Sequence, residues 1–141
     1  MSQSTPKIPV YVDSSVLVAL VAPAEAQHRT ARRWIEVEAS LLVTSTLTEV
    51  EVGRALVRRA APRAVGAAVR RILDGLELIE ITSRIRDAAI QVRPANIRSL
   101  DAVHVATALI AGAGQFASLD ARQQVAAEEM GLKLVRFGDR G

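Results

Sequence analysis

Apolar positions fall into two rhythms along this chain, and the change from one to the other marks out the elements. Short unbroken apolar runs rich in β-branched residues read as buried strands. They are Ile8 to Val12, Leu41 to Thr44, Leu78 to Ile81, Gln115 to Ser118 and Lys133 to Val135. Between them, apolar residues recur at helical spacing. A short helix is expected after Asp13-Ser14-Ser15, ending near Ala22 before Pro23. A second spans Ala26 to Ala39, with Ala31, Trp34, Ile35 and Val37 available to its buried side. Thr48-Glu49-Val50-Glu51 has the T-x-x-E form of a capping box, opening a third helix. Pro62 separates that helix from a fourth, Arg63 to about Leu73, which Gly75 ends. Further helices are predicted from Ser83 to Val92, from Leu100 to Ala111 and from Asp120 to about Met130. Gly112 and Gly131 stop the last two, and the tail from Phe137 is expected to fray.

Strands that alternate with helices pair in parallel, and parallel strands are covered on both faces. The expected fold is therefore an α/β, three-layer α/β/α sandwich around a parallel sheet of about five strands. It forms a single domain over residues 1–141. In such sheets, ligands sit outside the carboxyl ends of the strands.

Composition narrows this picture. Half of the residues are hydrophobic and 3% are aromatic, so the core must be built from Ala, Val, Leu and Ile. The absence of cysteine excludes disulfides and thiolate metal sites. The longest apolar run, Val16 to Ala22, is far short of the ~20 residues that cross a bilayer. The polar opening residues lack the apolar stretch of a signal peptide. A cytoplasmic protein with no membrane partner is expected. A net charge of +3 identifies no partner. The sixteen arginines against two lysines suit phosphate recognition, and they equally suit a GC-rich genome.

Acids fall where a site belongs. Asp13 follows the first strand, Asp120 lies just past the fourth, and Glu51 sits in the first helical turn after the second. Asp101 opens the helix that leads into the fourth strand. Four carboxylates brought together need protons or a hard cation, and oxygen-only donors suit Mg²⁺ or Mn²⁺. Such a cluster performs phosphodiester hydrolysis. Each acid also has a plainer role open to it. Asp13, Asp101 and Asp120 suit helix N-caps, and Glu51 suits the capping-box partner of Thr48.

The residues around these acids carry a resemblance. Val12-Asp13-Ser14-Ser15-Val16-Leu17-Val18 resembles the opening motif of PIN-domain nucleases. The stretch Thr44 to Leu56 is similar to the second motif, in a register that selects Glu51 over Glu49 and aligns Arg54 with a frequent arginine. Leu100 to Leu109 resembles the third motif most closely, and Ser118-Leu119-Asp120 the fourth. The four occur in family order over almost the whole chain, in wording nearest to VapC-type toxins. Ser14, where Thr is commoner, and the short tail depart slightly. The resemblance implies an endoribonuclease that hydrolyses RNA with metal-activated water. It also implies a homodimer and a VapB-like antitoxin that blocks the site.

On this reading Asp13, Glu51, Asp101 and Asp120 are the catalytic and metal-binding set. Asp13 and Asp101 hold Mg²⁺ or Mn²⁺ directly. Glu51 holds it directly or through water, and Asp120 holds its water or a second ion. Ser14 and Ser118 support the ligands by hydrogen bonding. Arg98 and Arg54 are the substrate contacts, with Arg58, Arg59, Arg63, Arg70 and Arg71 either an RNA track or a solvated face. Trp34 and Val37 offer an antitoxin helix a place, or serve the core or a dimer contact. His104, one turn beyond Asp101, is either a base or ligand or a side chain packed on the sheet. The packed role is favoured because a hard cation prefers oxygen. Two rival functions follow from the same elements. A Mg²⁺-dependent phosphatase would want an acid at Ser15. A non-catalytic PIN-like RNA-binding module would not need all four acids.

Overall fold

The computed structural model describes residues 7–138. Its elements are β1 (Val10–Val12), α1 (Ser14–Ala19), α2 (Ala26–Val37), β2 (Leu42–Ser45), α3 (Thr46–Arg58) and α4 (Arg63–Asp74), followed by β3 (Glu77–Ile79), α5 (Ser83–Ile90), α6 (Ser99–Ile110), β4 (Gln115–Ala117), α7 (Ala121–Glu129) and β5 (Lys133–Leu134). The strands form one sheet in the order β3-β2-β1-β4-β5, and every pairing is parallel.

Strand alternation divides the core between the two faces of the sheet. Val10 and Val12 join a cluster with α1, α2, α3 and α4, centred on Leu17, Val52 and Val69. Tyr11 and Phe116 face the other way, onto Ile85 of α5, the alanines of α6, and Ala126 and Ala127 of α7. With few aromatics, α6 approaches the sheet through Ala102, Ala106 and Ala108, all buried. The three layers are thus as expected.

Differences from the expected elements lie mostly at their ends. The first helix stops at Ala19, and α3 begins at Thr46, capped by the Ser45 hydroxyl on the Leu47 amide. Thr48 therefore sits inside the helix, buried, with the Thr44 hydroxyl bonded to its own. Glu51 falls in the second helical turn, so the capping-box reading does not hold. Both predicted glycine stops do hold. Gly112 and Gly131 take φ of 72° and 88°, where glycine alone is unstrained. Of the tail expected to fray, residues 139–141 lie outside the described residues. Phe137 packs edge to face on Trp34, ring centroids 5.4 Å apart. Trp34 is buried and belongs to the core.

Strand order now positions the site. From β1 the chain moves to β2 and β3 on one side, then crosses to β4 and β5 on the other. The order reverses between β1 and β4, and a crevice opens at the carboxyl ends of two such strands. Asp13 follows β1 there, and Ser118 and Asp120 follow β4.

Candidate active site

Asp13 leaves the end of β1 and caps α1. Its amide donates to Ala117 O at 3.0 Å, which continues the pairing with β4 one residue past the strand. Its side chain is 2% exposed. Oδ1 accepts from the Ser15 amide at 2.8 Å and the Ser15 hydroxyl at 2.5 Å. An N-cap side chain reaches the second or third helical amide, so the residue it meets is Ser15. Ser14 was expected to make this hydroxyl contact. Among the described residues it makes none with the acids. The capping rule, applied with its register, is the signal that identifies Ser15.

Ser15 also ties the two strand ends together. Its Oγ accepts from the Leu119 amide at 2.8 Å and lies 3.4 Å from Ser118 Oγ. Ser118 Oγ in turn accepts from the Asp120 amide at 3.0 Å. Asp120 caps α7 through the Arg122 amide, 2.9 Å away, and is exposed. Asp101 lies in the first turn of α6, half-buried.

Glu51 reaches across from α3 to α6. Its Oε1 lies 2.6 Å from Nε2 of His104, which is 1% exposed. The other ring nitrogen, Nδ1, lies 2.7 Å from the Tyr11 hydroxyl. A carboxylate only accepts, so Nε2 carries the hydrogen toward Glu51, and Nδ1 is the nitrogen that faces the Tyr11 hydroxyl. Burial, with Asp13 and Glu51 adding to it, pushes the Tyr11 phenol far above its usual range, so the hydroxyl keeps its proton. The expected packing of His104 against the sheet is what the structure shows, with a contact to Glu51 in addition. Tyr11 carried no sequence signal, because its partner lies 93 residues away.

Electrostatics link these acids to shared neighbours. Burial raises the Asp13 carboxyl above its ordinary range, against the opposing pull of His104 and the Ser118 and Ser15 hydroxyls. Burial also raises Asp101. The charges of Asp120 and Glu51 add to this, while His104 and Arg98 oppose it. Asp101 thus lies within electrostatic reach of Asp120 and Glu51, while Asp13 and Glu51 share Tyr11 and His104 as neighbours.

A divalent ion suits this donor set in its chemistry. The acids offer oxygen donors, and burial holds two of the carboxyls above their normal range, with the charges of Asp120 and Glu51 adding to it at Asp101. Among the described residues, no three Asp, Glu or His side chains stand together in ligating positions. Glu51 is turned onto His104, and Asp13 Oδ1 onto Ser15.

Of the expected substrate contacts, Arg98 is close enough to act on Asp101 and lines a hollow of about 340 Å³ beside it. Arg54 stands exposed on α3, one turn past Glu51. Two of the other α3 and α4 arginines are engaged: Arg59 pairs with Glu25 at 2.7 Å, and Arg70 with Glu49 at 3.0 Å. A larger hollow of about 770 Å³ lies along α2, away from the acids, and none of the four lines it. No helix among the described residues is long and apolar enough to cross a membrane.

Known proteins match this chain in sequence and in fold. The PIN domain profile matches residues 10–139. Ribonuclease VapC35 of Mycobacterium tuberculosis is 35% identical over 134 residues, which cover 92% of this chain and 97% of that protein. Ribonuclease VapC46 of the same species is 34% identical over 128 residues, 89% and 95% of the two chains. Among solved structures, the M. tuberculosis sarcin–ricin-loop-cleaving toxin VapC20 superposes with a TM-score of 0.73. The identity is 23%, covering 90% of this chain and 98% of that one. A toxin–antitoxin complex from Klebsiella pneumoniae gives 0.70 at 17% identity, over 93% and 99%.

Proposed function

The chain belongs to the PIN-domain family, and from that premise we propose that it is a metal-dependent endoribonuclease, the toxin of a type II toxin–antitoxin pair. One relationship supports the mechanism: Asp101 lies within electrostatic reach of Asp120 and Glu51, and Asp13 and Glu51 both border Tyr11, beside the carboxyl ends of β1 and β4. Its relatives named as ribonucleases match along nearly their whole length, which supports the same chemistry here.

Asp13 and Asp101 would hold the ion, Mg²⁺ or Mn²⁺, with Glu51 and Asp120 beside them. When bound, the ion supplies activation of water and neutralises charge on the phosphate. The rest falls to the chain. His104 fixes one oxygen of Glu51 and leaves the other for the ion or its water. Ser15 fixes one oxygen of Asp13 in the same way. Arg98 draws the RNA backbone toward a region that would otherwise repel it. A VapB-like antitoxin partner, a homodimer and a cytoplasmic location complete the reading.

The test is incubation of purified protein with RNA in Mg²⁺, in Mn²⁺ and in EDTA, alongside D13N and D101N. Cleavage in either metal is expected, with loss in EDTA and in both variants. Cleavage that persists in EDTA overturns the reading, as does hydrolysis of p-nitrophenyl phosphate with RNA left intact.

A further inference from the structure

The pairing of β1 with β2 stops at Tyr11 and Val43. Past that point a side chain takes over: Thr44 Oγ1 donates to Val12 O at 2.6 Å. That carbonyl shares its peptide unit with the Asp13 amide, which donates to Ala117 O at 3.0 Å on the other side. The peptide unit that carries Asp13 is therefore held from both neighbouring strands, by a hydroxyl from β2 and by backbone from β4. Thr44 Oγ1 also lies 2.7 Å from Thr48 Oγ1, in the first turn of α3. Glu51 follows three residues later on the same helix. Both threonines are fully buried. Their hydroxyls stand beside the Tyr11 phenol, near enough to oppose the upward push of burial on it. Tyr11 reaches His104, and His104 reaches Glu51. Hydroxyls are kept in a dry core where they are bonded, since valine fills the same space with no polar atom to satisfy. Satisfying Val12 O accounts for Thr44 alone. Among the described residues, the Thr48 hydroxyl bonds no backbone group, and its neighbours are Thr44 and Tyr11.

We propose that Thr44 and Thr48 are positioning residues, whose paired hydroxyls set the placement of Asp13 and Glu51 relative to one another. This deepens the ribonuclease reading and rests on it. Neither threonine touches the ion or the RNA. Thr44 fixes Asp13 through the Val12 carbonyl. Thr48 fixes Glu51 through Tyr11 and His104. Their mutual contact joins the two lines across the turn from β2 into α3. A satisfied polar network in a dry interior is directional, and it holds one arrangement where apolar packing tolerates several. Two acids supplied by different elements need such a tie if a divalent ion is to meet both.

The test uses the full chain and valines, which keep the shape of threonine and remove its hydroxyl. In EDTA, proton–nitrogen correlation spectra read the ring nitrogens of His104, with His28, the other histidine, as internal reference. T48V is expected to shift the His104 signals and to leave those of His28 in place. Calorimetry with Mn²⁺ is expected to show binding roughly tenfold weaker in T44V and in T48V, the low end of what groups behind a ligand contribute. T44S and T48S keep the hydroxyl and are expected to restore the affinity. T107V controls for the loss of a core hydroxyl, because Thr107 is equally buried and spends its own on Val103 O within α6. It is expected to bind Mn²⁺ within about twofold of the wild type, as an independent site does. T48V/Y11F is expected to bind Mn²⁺ as Y11F does, because the two act along one line. The proposal is overturned if T48V matches T107V, if T48S does not restore affinity, or if the effects of T48V and Y11F multiply. Should T44V lose its helical circular dichroism, T48V and T44S decide. Failure of the wild type to bind Mn²⁺ and cleave RNA would instead strike the ribonuclease reading. The spectra in EDTA still decide the threonines in that case, and unmoved His104 signals in T48V overturn their role.

Discussion

His104 Nε2 stands 2.6 Å from Glu51 Oε1, and the same ring is held from behind by the Tyr11 hydroxyl. A buried imidazole thereby joins β1 to a carboxylate on α3. Y11F tests this link. The ring of Tyr11 stacks on Phe116, centroids 5.4 Å apart, and a phenylalanine keeps that contact. What is lost is the donor to Nδ1, at a cost of about 1–3 kcal/mol for an unsatisfied buried nitrogen. Groups that orient a ligand from behind change metal affinity or activity by roughly 10–100-fold. We expect Y11F to keep its helical circular dichroism, to bind Mn²⁺ about tenfold more weakly, and to cleave RNA correspondingly slowly. Unaltered Mn²⁺ affinity, by calorimetry, would leave Tyr11 a packing residue only.

Asp101 and Asp13 give a second prediction, on stability. Both carboxyls are raised above their ordinary value of 3.8, chiefly by burial. The folded protein therefore holds these protons more firmly than the unfolded chain does. Their contribution to stability is complete below 3.8 and is lost as pH rises through the raised folded values. In EDTA the melting temperature is expected to rise as pH is lowered from neutrality toward that window. D101N removes the charge outright. An acid in the first helical turn gains only about 0.3–1 kcal/mol from the helix start. Its burial and its acidic neighbours oppose it, and D101N is expected to melt roughly 2–4 °C higher in EDTA. In saturating Mn²⁺ the order reverses, because the wild type then gains the free energy of metal binding. A variant that melts below the wild type in EDTA would show that the acids do not repel one another.

Ser15 and Ser14 are adjacent and chemically identical, and their substitutions are expected to differ. S15A removes the hydroxyl contact to Asp13 and the acceptor of the Leu119 amide. Its cost by urea denaturation is expected to be about 1–3 kcal/mol. S14A touches neither and is expected within about 0.5 kcal/mol of the wild type. Equal effects would refute the assignment of Ser15 as the tie between the ends of β1 and β4.

This pair also shows where sequence reasoning reaches its limit. Strands and helices were legible because their signals are local: strands buried on both faces read as unbroken apolar runs, and caps and glycines mark the ends. The acids were legible because each stands beside a strand end or helix start. Which hydroxyl supports Asp13 depends on capping register, one residue finer than the motif. Thr48 misled for a related reason. It fits a capping template, yet the helix had already begun at Thr46 under the cap of Ser45. Tyr11, His104 and Glu51 meet only because β1, α6 and α3 pack together, and no local pattern specifies which side chains touch across 53 and 93 positions.

A last prediction lies at the end of α3, in Ala60. Its φ is 46°, in the left-handed region, where an L-residue with a Cβ is strained by roughly 1–2 kcal/mol. The backbone enforces that conformation. Ala60 N donates to Val57 O at 3.0 Å and Ala61 N to Leu56 O at 3.0 Å, the paired bonds of a helix stop. Gly112 and Gly131 occupy the same place after α6 and α7, with glycine where α3 has alanine. A60G relieves the strain and gives back part of the gain, because glycine is freer in the unfolded chain. The net expectation is a stabilisation of about 0.5–1 kcal/mol, read by urea denaturation. Ala60 is in none of the acid contacts described, so RNA cleavage should be unchanged. A60G then separates stability from activity, which D101N changes together. If A60G is destabilised, the chain does not turn left-handed at Ala60, and α3 ends by another route.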